Sequence, residues 1–204
     1  MIRPRPRWFT QTGSDHSITY VDRFRQLAAN GVDLAGEARM LDAMVARNSR
    51  LLDAGCGSGR VGAALFDRGH HVVGVDIDPV LIGAAETDHS GPRWIVADLS
   101  ELDLASFGEP ELFDAAIIAG NVMAFVAPGT ERAVIARVAS HVREDGIILV
   151  GFTTGREYTV ADLDANITDL DIELEHRFAT WDLRPWTARS EFSVSVLRRS
   201  SANR

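Results

Sequence analysis

A glycine-rich loop that follows an acidic residue is the part of this chain best suited to chemistry. Residues 51–60 have the sequence LLDAGCGSGR, in which an apolar stretch ends at Asp53 and glycines occupy positions 55, 57 and 59. The pattern predicts a strand, a tight turn and the start of a helix, an arrangement that brings the backbone close to a nucleotide-like ligand. Glycine suits these positions because a Cβ would block the turn or the ligand.

Two kinds of ligand fit this loop. The segment Gly57–Gly62 matches the pattern G-x-G-x-x-G of dinucleotide-binding domains, which makes an NAD-dependent oxidoreductase one interpretation. Asp53 favours a different ligand, because its carboxylate at the strand tip would oppose a diphosphate. S-adenosylmethionine has no phosphate and carries a cationic sulfonium and an ammonium group, so an acid at the entrance of the loop suits it.

Two further acids follow the next predicted strands. Asp76 ends the apolar run of residues 71–76, and Asp98 follows the short run of residues 94–97. A carboxylate at the tip of the second strand can accept hydrogen bonds from both ribose hydroxyls of an adenosyl group. One at the third strand can reach the adenine amine. Because parallel strands end at the same edge of a sheet, the acids predict one ligand groove there.

Five segments, in this order and spacing, resemble class I S-adenosylmethionine-dependent methyltransferases. They are D-x-G-x-G-x-G at 53–59, GVDIDP at 74–79, ADL at 97–99, FDAAIIAGNVMAFV at 113–126 and REDGIILVGF at 143–152. The resemblance extends in register over residues 48–152 and more loosely over the rest. It implies a methyltransferase with S-adenosylmethionine as methyl donor and S-adenosylhomocysteine as product.

The resemblance also implies which residues contact the cofactor. Those expected at its methionine end belong to the loop, those at its ribose and adenine follow the second and third strands, and those beneath the sulfonium follow the fourth. They are Asp53, Ala54, Gly55, Cys56, Gly57, Gly59 and Arg60; Asp76 and Ile77 with Asp98 and Leu99; and Gly120 with Asn121. Arg39, on a predicted helix before the loop, is a candidate partner for the cofactor's carboxylate, and an ordinary solvated arginine is the other interpretation.

Strands that alternate with helices predict an α/β fold built on a parallel sheet. We predict one Rossmann-like domain, a three-layer sandwich whose seven-stranded sheet is mostly parallel with an antiparallel last strand. Within residues 1–204 we expect a flexible arm (1–15), a helical cap (16–47), the cofactor-binding core (48–152) and a C-terminal helix and hairpin on the substrate side (153–200). Thr159 is the predicted cap of that helix, which is expected over 160–170.

No residue stands out as a catalyst. Methyl transfer depends mainly on positioning and on the exclusion of water, so none is required. His16 and Tyr20 of the predicted cap are candidate bases or substrate contacts, and a surface histidine and a packing tyrosine are the other interpretations. Asn121 either orients the substrate or ends a strand. The segment Gly120–Met123 lacks the Asn/Asp-Pro-Pro-aromatic signature used on planar amino groups of bases and glutamine, so those acceptors are not expected.

The predicted topology places a second group of side chains beside the groove. Arg156 and Tyr158 follow the fifth strand of the core, and Trp181, Arg184 and Trp186 lie in the turn of the C-terminal hairpin. Arginine and aromatic side chains can hold a small anionic or aromatic substrate. For the two tryptophans, packing of the hairpin onto a helix is the alternative.

The composition favours a cytoplasmic enzyme with a small substrate. The net charge is −8, all 21 basic residues are arginine, and no basic stripe lies outside the N-terminal tail, which counts against a nucleic-acid substrate. No apolar run is long enough for a membrane span, and the N-terminus lacks the apolar core of a secretory signal. The single cysteine agrees with a reducing compartment. No histidine or cysteine spacing predicts a metal site.

Together these observations predict an S-adenosylmethionine-dependent methyltransferase that acts on a small-molecule oxygen, nitrogen or carbon nucleophile. The oxidoreductase alternative is weakened by Asp53 and Asp98, and the absence of lysine excludes a Tyr-x-x-x-Lys pair. A non-catalytic module that binds the same cofactor is the third hypothesis, because intact loop acids indicate binding and not turnover.

Overall fold

A computed structural model describes residues 4–13 and 15–200 of the chain. Seven strands form one sheet: β1 (Arg50–Ala54), β2 (His71–Asp76), β3 (Arg93–Val96), β4 (Phe113–Ile118), β5 (Val142–Thr153), β6 (Ile172–Phe178) and β7 (Phe192–Arg199). Their order is β3-β2-β1-β4-β5-β7-β6. The first five strands pair in parallel, and β7 is antiparallel to both β5 and β6. The predicted fold class, with its reversed last strand, is confirmed.

Eight α-helices within the described residues accompany the sheet. They are α1 (Arg7–Thr10), α2 (His16–Ala29), α3 (Gly36–Met44), α4 (Arg60–Phe66), α5 (Pro79–Asp88), α6 (Val122–Phe125), α7 (Glu131–Ser140) and α8 (Val160–Ile167). Two short 3₁₀ helices, Leu99–Glu101 and Leu104–Phe107, lie between β3 and β4. None of the helices in the described part of the chain has the length and apolar character to cross a bilayer.

The sheet is covered on both faces, which is why its central strands are apolar at successive positions. Ala115 and Ile117 of β4 belong to an apolar cluster that includes side chains of α3 and α4. Ala116 and Ile118, which point to the opposite face, belong to a second cluster that includes side chains of α7 and α8. The sheet therefore has the central position in a three-layer arrangement.

Local capping sets the start of two helices. The Asp78 side chain accepts a hydrogen bond of 2.8 Å from the backbone N–H of Val80, and α5 begins at Pro79. Thr159 and Asp162 form a reciprocal capping box at α8, which confirms the predicted cap. The same helix ends at Ile167, before the predicted residue 170, where the Arg132 guanidinium binds the carbonyls of Asn166 and Thr168.

The N-terminal segment corrects one prediction. Residues 1–3 and 14 of the predicted flexible arm (1–15) lie outside the described part of the chain, and within the described part Arg7–Thr10 form α1, whose side chains bind distant parts of the chain. The Trp8 indole N–H donates a hydrogen bond of 2.7 Å to Asp78, and Arg7 pairs with Glu131 at 3.0 Å. The alternating arginines and prolines gave no local sign of these contacts, because both partners lie far along the chain.

Candidate cofactor and active site

A cavity of about 430 Å³ opens at the carboxyl ends of β1 to β4. The strand order reverses there, between β1 and β4, and open α/β sheets bind ligands at such a switch point. Many of the predicted site residues line it: Gly55, Gly57, Arg60, Asp76, Ile77, Asp98, Leu99, Gly120, Asn121, His16, Tyr20 and Arg156. The structure thus brings together residues from the loop, three further strand ends and the cap.

The glycine loop leaves β1 in a conformation that side chains rarely adopt. The φ angles of Gly55, Gly57 and Gly59 are 82°, 55° and 86°. A Cβ on Gly57 would lie 3.2 Å from the Tyr20 hydroxyl, and one on Gly59 would lie 2.9 Å from both Ala85 and Trp94. Gly57 therefore keeps the cavity open, whereas Gly59 allows the loop to pack on the protein below.

Asp76 lies at the end of β2 with both carboxylate oxygens bound. Its Oδ2 accepts a hydrogen bond of 2.9 Å from the Gly57 N–H, and its Oδ1 accepts one of 2.9 Å from the Asp78 N–H. Burial raises the pKa of Asp76 to about 6, against the opposing effect of these hydrogen bonds. The carboxylate is therefore fixed in orientation and faces the cavity as an acceptor.

Asp53 does not face the cavity, contrary to the prediction. Its side chain is 1% exposed, and its Oδ2 accepts a hydrogen bond of 2.8 Å from the backbone N–H of Gly62 in α4. Burial raises the pKa of Asp53 to about 7. The first turn of a helix has free N–H groups, and the carboxylate turns beneath the loop to bind one of them.

Three other loop residues predicted to contact the cofactor support it from below. Ala54 is buried in β1, Gly59 packs against Trp94, and Cys56 belongs to an apolar cluster with Ile82, Ala85 and Trp94. Burial raises the pKa of the Cys56 thiol, so it stays protonated. The interpretation of Cys56 as a small packing residue agrees with this position.

The two arginines assigned to the cofactor differ in place. Arg60 lines the cavity, and its guanidinium pairs with Glu37 of α3 and donates a hydrogen bond of 2.8 Å to the carbonyl of Leu34. Arg39 lies outside the cavity and pairs with Asp33 at 2.6 Å, with about half of its side chain exposed. The position of Arg39 therefore does not support the prediction that it binds the cofactor. Its guanidinium is already paired with the Asp33 carboxylate outside the cavity.

The ends of β3 and β4 complete the floor of the cavity. Asp98 caps the 3₁₀ helix that follows β3 by accepting a hydrogen bond of 2.9 Å from the Ser100 N–H. Asn121 follows β4 with a φ of 67°, and its Oδ1 accepts a hydrogen bond of 2.6 Å from the Thr153 N–H. Asn121 therefore both shapes a strand end and lines the cavity, so the two interpretations of this residue are compatible.

Aromatic side chains of the N-terminal segment form one wall of the cavity. The Trp8 ring makes edge-to-face contacts with His16, Tyr20 and Phe125, at centroid distances of 4.6, 5.7 and 5.4 Å. Tyr20 also contacts Phe24, 4.7 Å away. Burial raises the pKa of Tyr20 to about 12. The wall is therefore mainly apolar. Its polar groups include the protonated phenol of Tyr20 and the imidazole of His16.

Several residues that line the cavity were not predicted from the sequence. Trp8, Arg23, Phe24, Leu81, Val122, Phe125, Val126 and Ala127 line the cavity without having been predicted. The helical spacing of α2, which places Tyr20 and Phe24 on one side, was a usable signal for Phe24. Trp8 carried no such signal, because its position depends on a contact with a distant part of the chain.

Four of the five residues predicted on the substrate side lie away from the cavity. Arg156 lines it. Tyr158 is 2% exposed, packs against Phe152 at 5.1 Å, and its hydroxyl accepts a hydrogen bond of 3.1 Å from the Asn166 amide. Its side chain points into the core beneath α8, which removes it from the mouth.

The turn of the C-terminal hairpin does not hang beside the groove. Phe178 forms a bridge with Pro185, so the turn folds back on its own strand. The Trp181 ring packs onto the α-carbon of Gly151, where a Cβ would collide with it, and Trp186 lies under the Arg177 guanidinium at 5.5 Å. Arg184 is exposed beside Asp182. The packing alternative holds for Trp181, which lies in the cluster with α3, whereas Trp186 packs beside Arg177 of β6.

The buried histidine before β2 has a structural partner. The Nδ1 of His70 accepts a hydrogen bond of 3.2 Å from the Ser49 N–H, so its Nε2 carries the proton and donates to Asp42 at 2.9 Å. Among the described residues, no group of three or more His, Cys, Asp and Glu side chains is arranged to hold a metal ion.

The polar groups of the cavity suit an adenosyl group better than a diphosphate, because they include hydrogen-bond acceptors with negative charge. Asp76 and Asp98 supply carboxylates and Leu99 an apolar surface, while the charge of Arg60 is balanced by Glu37. Gly120 has a φ of 72° and no heavy atom within 4 Å of the place its Cβ would take. The backbone there can approach a ligand closely, so the residues present fit S-adenosylmethionine.

Comparison with known proteins agrees with this geometry. Residues 51–146 match the family model described as a methyltransferase domain. A solved TehB-like SAM-dependent methyltransferase from Corynebacterium glutamicum is 40% identical, with a TM-score of 0.85; the match covers 92% of this chain and 100% of that one. The structure of 1,6-didemethyltoxoflavin-N1-methyltransferase from Burkholderia thailandensis has a TM-score of 0.62 at 21% identity, over 93% of this chain and 92% of that one.

Curated relatives match over a shorter region. A ribosomal protein L11 methyltransferase of Symbiobacterium thermophilum is 36% identical over 42% of this chain and 29% of its own length. The chain spans between 29% and 39% of the length of the curated relatives it matches. The curated relatives therefore match this chain over only part of its length.

The sheet order and the glycine loop with its acids define a Rossmann-like methyltransferase. The chain belongs to the S-adenosylmethionine-dependent methyltransferases, since it covers the full length of a relative that is 40% identical. The predicted family and enzyme class are confirmed, and the comparisons do not support an NAD-dependent oxidoreductase or a non-catalytic module.

Proposed function

We propose that this enzyme binds S-adenosylmethionine in the cavity and transfers its methyl group to a small-molecule acceptor. The observation that supports a small acceptor is the aromatic wall of the cavity, which is formed by Trp8, Tyr20, Phe24 and Phe125. Such a wall encloses an acceptor of limited size, whereas a segment of protein or nucleic acid needs an open surface. The net charge of −8 also disfavours a nucleic-acid acceptor.

In this proposal the acids and the glycine loop contact different parts of the cofactor. Asp76 would accept hydrogen bonds from the ribose hydroxyls, Asp98 and Leu99 would contact the adenine, and the backbone at Gly55 and Gly57 would face the methionine portion. When bound, S-adenosylmethionine supplies a methyl group on a positively charged sulfur. The remaining task of the protein is to hold the acceptor in line with that carbon and to exclude water.

For an acceptor that must lose a proton, His16 is the proposed base. Its ring lies against Trp8 in the wall of the cavity. Tyr20 is unsuited to this role, because burial raises its pKa to about 12 and the phenol stays protonated. We propose that Tyr20 instead donates a hydrogen bond that orients the acceptor, and that Arg156 contacts its polar part at the mouth.

Calorimetric titration of the purified protein with S-adenosylhomocysteine, and separately with NAD and NADP, tests the cofactor. Binding of the first alone is expected, and binding of a dinucleotide would contradict the assignment. A methyl-release assay then compares pools of small metabolites with ribosomal protein L11, the acceptor named for a relative. If the enzyme methylated ribosomal protein L11 and none of the metabolites, the proposal of a small-molecule acceptor would be wrong and a protein acceptor would take its place.

A further inference from the structure

We infer that Asp78 is a positioning residue for cofactor binding, which joins the N-terminal wall of the cavity to the carboxylate of Asp76. This role rests on the proposed binding of S-adenosylmethionine in the cavity and is independent of the acceptor. It extends the cofactor site beyond the matched methyltransferase region, residues 51–146, to Arg7, Trp8 and Ser17 near the start of the chain.

The carboxylate of Asp78 collects hydrogen bonds from three separate segments. It is 2% exposed, and its Oδ1 accepts from the Val80 N–H at 2.8 Å. Its Oδ2 accepts from the indole N–H of Trp8 at 2.7 Å and from the Ser17 hydroxyl. A buried carboxylate is stable only with donors of this kind. One oxygen of Asp78 therefore holds both Trp8 and the first turn of α2 in place.

The backbone of the same residue fixes the acid that faces the cavity. The Asp78 N–H donates a hydrogen bond of 2.9 Å to Oδ1 of Asp76, while Oδ2 of Asp76 is held by the Gly57 N–H at 2.9 Å. A displacement of Asp78 would release one of the two oxygens. A continuous chain of hydrogen bonds thus runs from the Trp8 indole through Asp78 to Asp76 and the glycine loop.

The residue before Trp8 is bound on the other side of the cavity. The Arg7 guanidinium donates to the carbonyl of Val126 at 3.2 Å and pairs with Glu131 at 3.0 Å, beyond the end of β4. Adjacent residues are therefore tied to the β4 side and the β2 side. A segment held at both sides of the mouth slows the departure of a ligand from beneath it, and loss of the Trp8 tie is expected to speed that departure.

A double-mutant cycle on S-adenosylhomocysteine binding tests this role. Trp8→Phe keeps the aromatic ring and removes the indole N–H, and Asp78→Asn keeps the helix cap and removes the charge. We expect each single variant to raise the Kd and the dissociation rate about tenfold, the effect of a lost hydrogen bond to a buried carboxylate. We expect the double variant to match the weaker-binding single variant within about twofold, because Asp78→Asn already removes the carboxylate that accepts the Trp8 hydrogen bond.

Trp186→Phe is the matched control, since the Trp186 indole N–H is buried without a partner in the described structure. It should leave Kd and the dissociation rate unchanged. Multiplicative effects in the double variant, or a normal dissociation rate in Trp8→Phe, would overturn the role of Asp78, and so would a lower melting temperature of the ligand-free variants without any change in binding. If Asp78→Asn does not fold, Trp8→Phe and Ser17→Ala, which each remove one donor to Asp78, are measured singly, and an unchanged dissociation rate in both would overturn the role. Failure of the wild type to bind S-adenosylhomocysteine would instead contradict the proposed cofactor site.

Discussion

The carboxylate of Asp53 accepts a hydrogen bond of 2.8 Å from the backbone N–H of Gly62, and it is this contact that turns the acid under the loop and away from the ligand. The acid of the loop therefore stabilises the junction between β1 and α4. Asp76, at the end of the neighbouring strand β2, remains in the cavity. Two carboxylates with the same place at a strand end thus have different roles, set by the donors around them.

Burial of Asp53 predicts a specific dependence of stability on pH. Burial raises its pKa to about 7, with Arg60 opposing this effect and with Asp76 and Glu37 reinforcing it. Because the folded pKa lies above the unfolded one, the contribution to stability is fully present below about pH 4 and is lost as pH rises through about 7. We expect Asp53→Asn to gain roughly 2–4 kcal/mol relative to wild type between pH 4 and pH 8 in urea unfolding.

Glu175→Gln is the control of opposite sign. The Arg198 guanidinium lowers the pKa of Glu175, so its contribution is present above the unfolded pKa and is lost as pH falls. This variant should lose stability relative to wild type as pH rises through the acidic range. A relative stability of Asp53→Asn that is independent of pH would contradict the account of its burial.

A second pH effect concerns cofactor affinity. Asp76, with a pKa raised to about 6, is faced by Asp78, Asp53, Cys56 and the phenol of Tyr20. We expect affinity for S-adenosylhomocysteine to fall as pH is lowered through about 6, because the protonated carboxyl loses acceptor capacity. Asp76→Asn should weaken binding by about 1–3 kcal/mol at pH 8 and remove this acidic limb. Calorimetric titrations of the wild type and the variant at several pH values measure these affinities. If the affinity of the variant still fell as pH is lowered through about 6, the pH dependence would belong to another group.

The loop glycine that borders Tyr20 is expected to control access to the cavity. Gly57→Ala places a Cβ 3.2 Å from the Tyr20 hydroxyl at a φ of 55°. Gly69→Ala is the matched control, with a φ of 88° and open space around the added atom. Both variants should lose about 1–2 kcal/mol of stability from the left-handed backbone. Only Gly57→Ala should weaken S-adenosylhomocysteine binding, by at least about tenfold, and equal titrations would mean that the loop does not contact the ligand.

Two arginines that the sequence placed in one group are separated by the structure. Arg156 lines the cavity, while Arg184 lies in the exposed hairpin turn beside Asp182. We expect Arg156→Ala to lower kcat/KM for the acceptor by about tenfold with little change in cofactor affinity, and Arg184→Ala to change neither. Steady-state kinetics with the acceptor found by methyl release measures this. Equal kinetics for the two variants would remove Arg156 from the acceptor site.

Trp181 provides a test of stability without function. Its ring packs onto Gly151 and against Phe192, 6.2 Å away between centroids, in the apolar cluster over α3. Trp181→Ala should lower the free energy of unfolding by about 2–4 kcal/mol because it leaves a cavity in that cluster. Affinity for S-adenosylhomocysteine should not change at temperatures where the variant is folded. A selective loss of binding would return the hairpin turn to the ligand site.

The sequence by itself determined the fold class and the edge of the sheet at which the cofactor site lies. Local sequence patterns predict the apolar strands, the glycine loop and the helix cap at Thr159. Each of these patterns depends on neighbouring residues and not on distant parts of the chain. Gly57, Asp76 and Asp98 were predicted correctly as cavity residues because parallel strands end at one edge.

Only the tertiary structure decided which way the side chains at that edge point and what closes the site. Asp53 turned to an N–H of α4, the hairpin turn folded back through Phe178 and Pro185, and Trp8 crossed to Asp78. In each case the packing of the folded chain determines which partner the side chain or turn contacts. The contact between Trp8 and Asp78 joins residues 70 positions apart. Such contacts leave no periodic trace in a sequence, because they depend on which surfaces the folded strands and helices bring together.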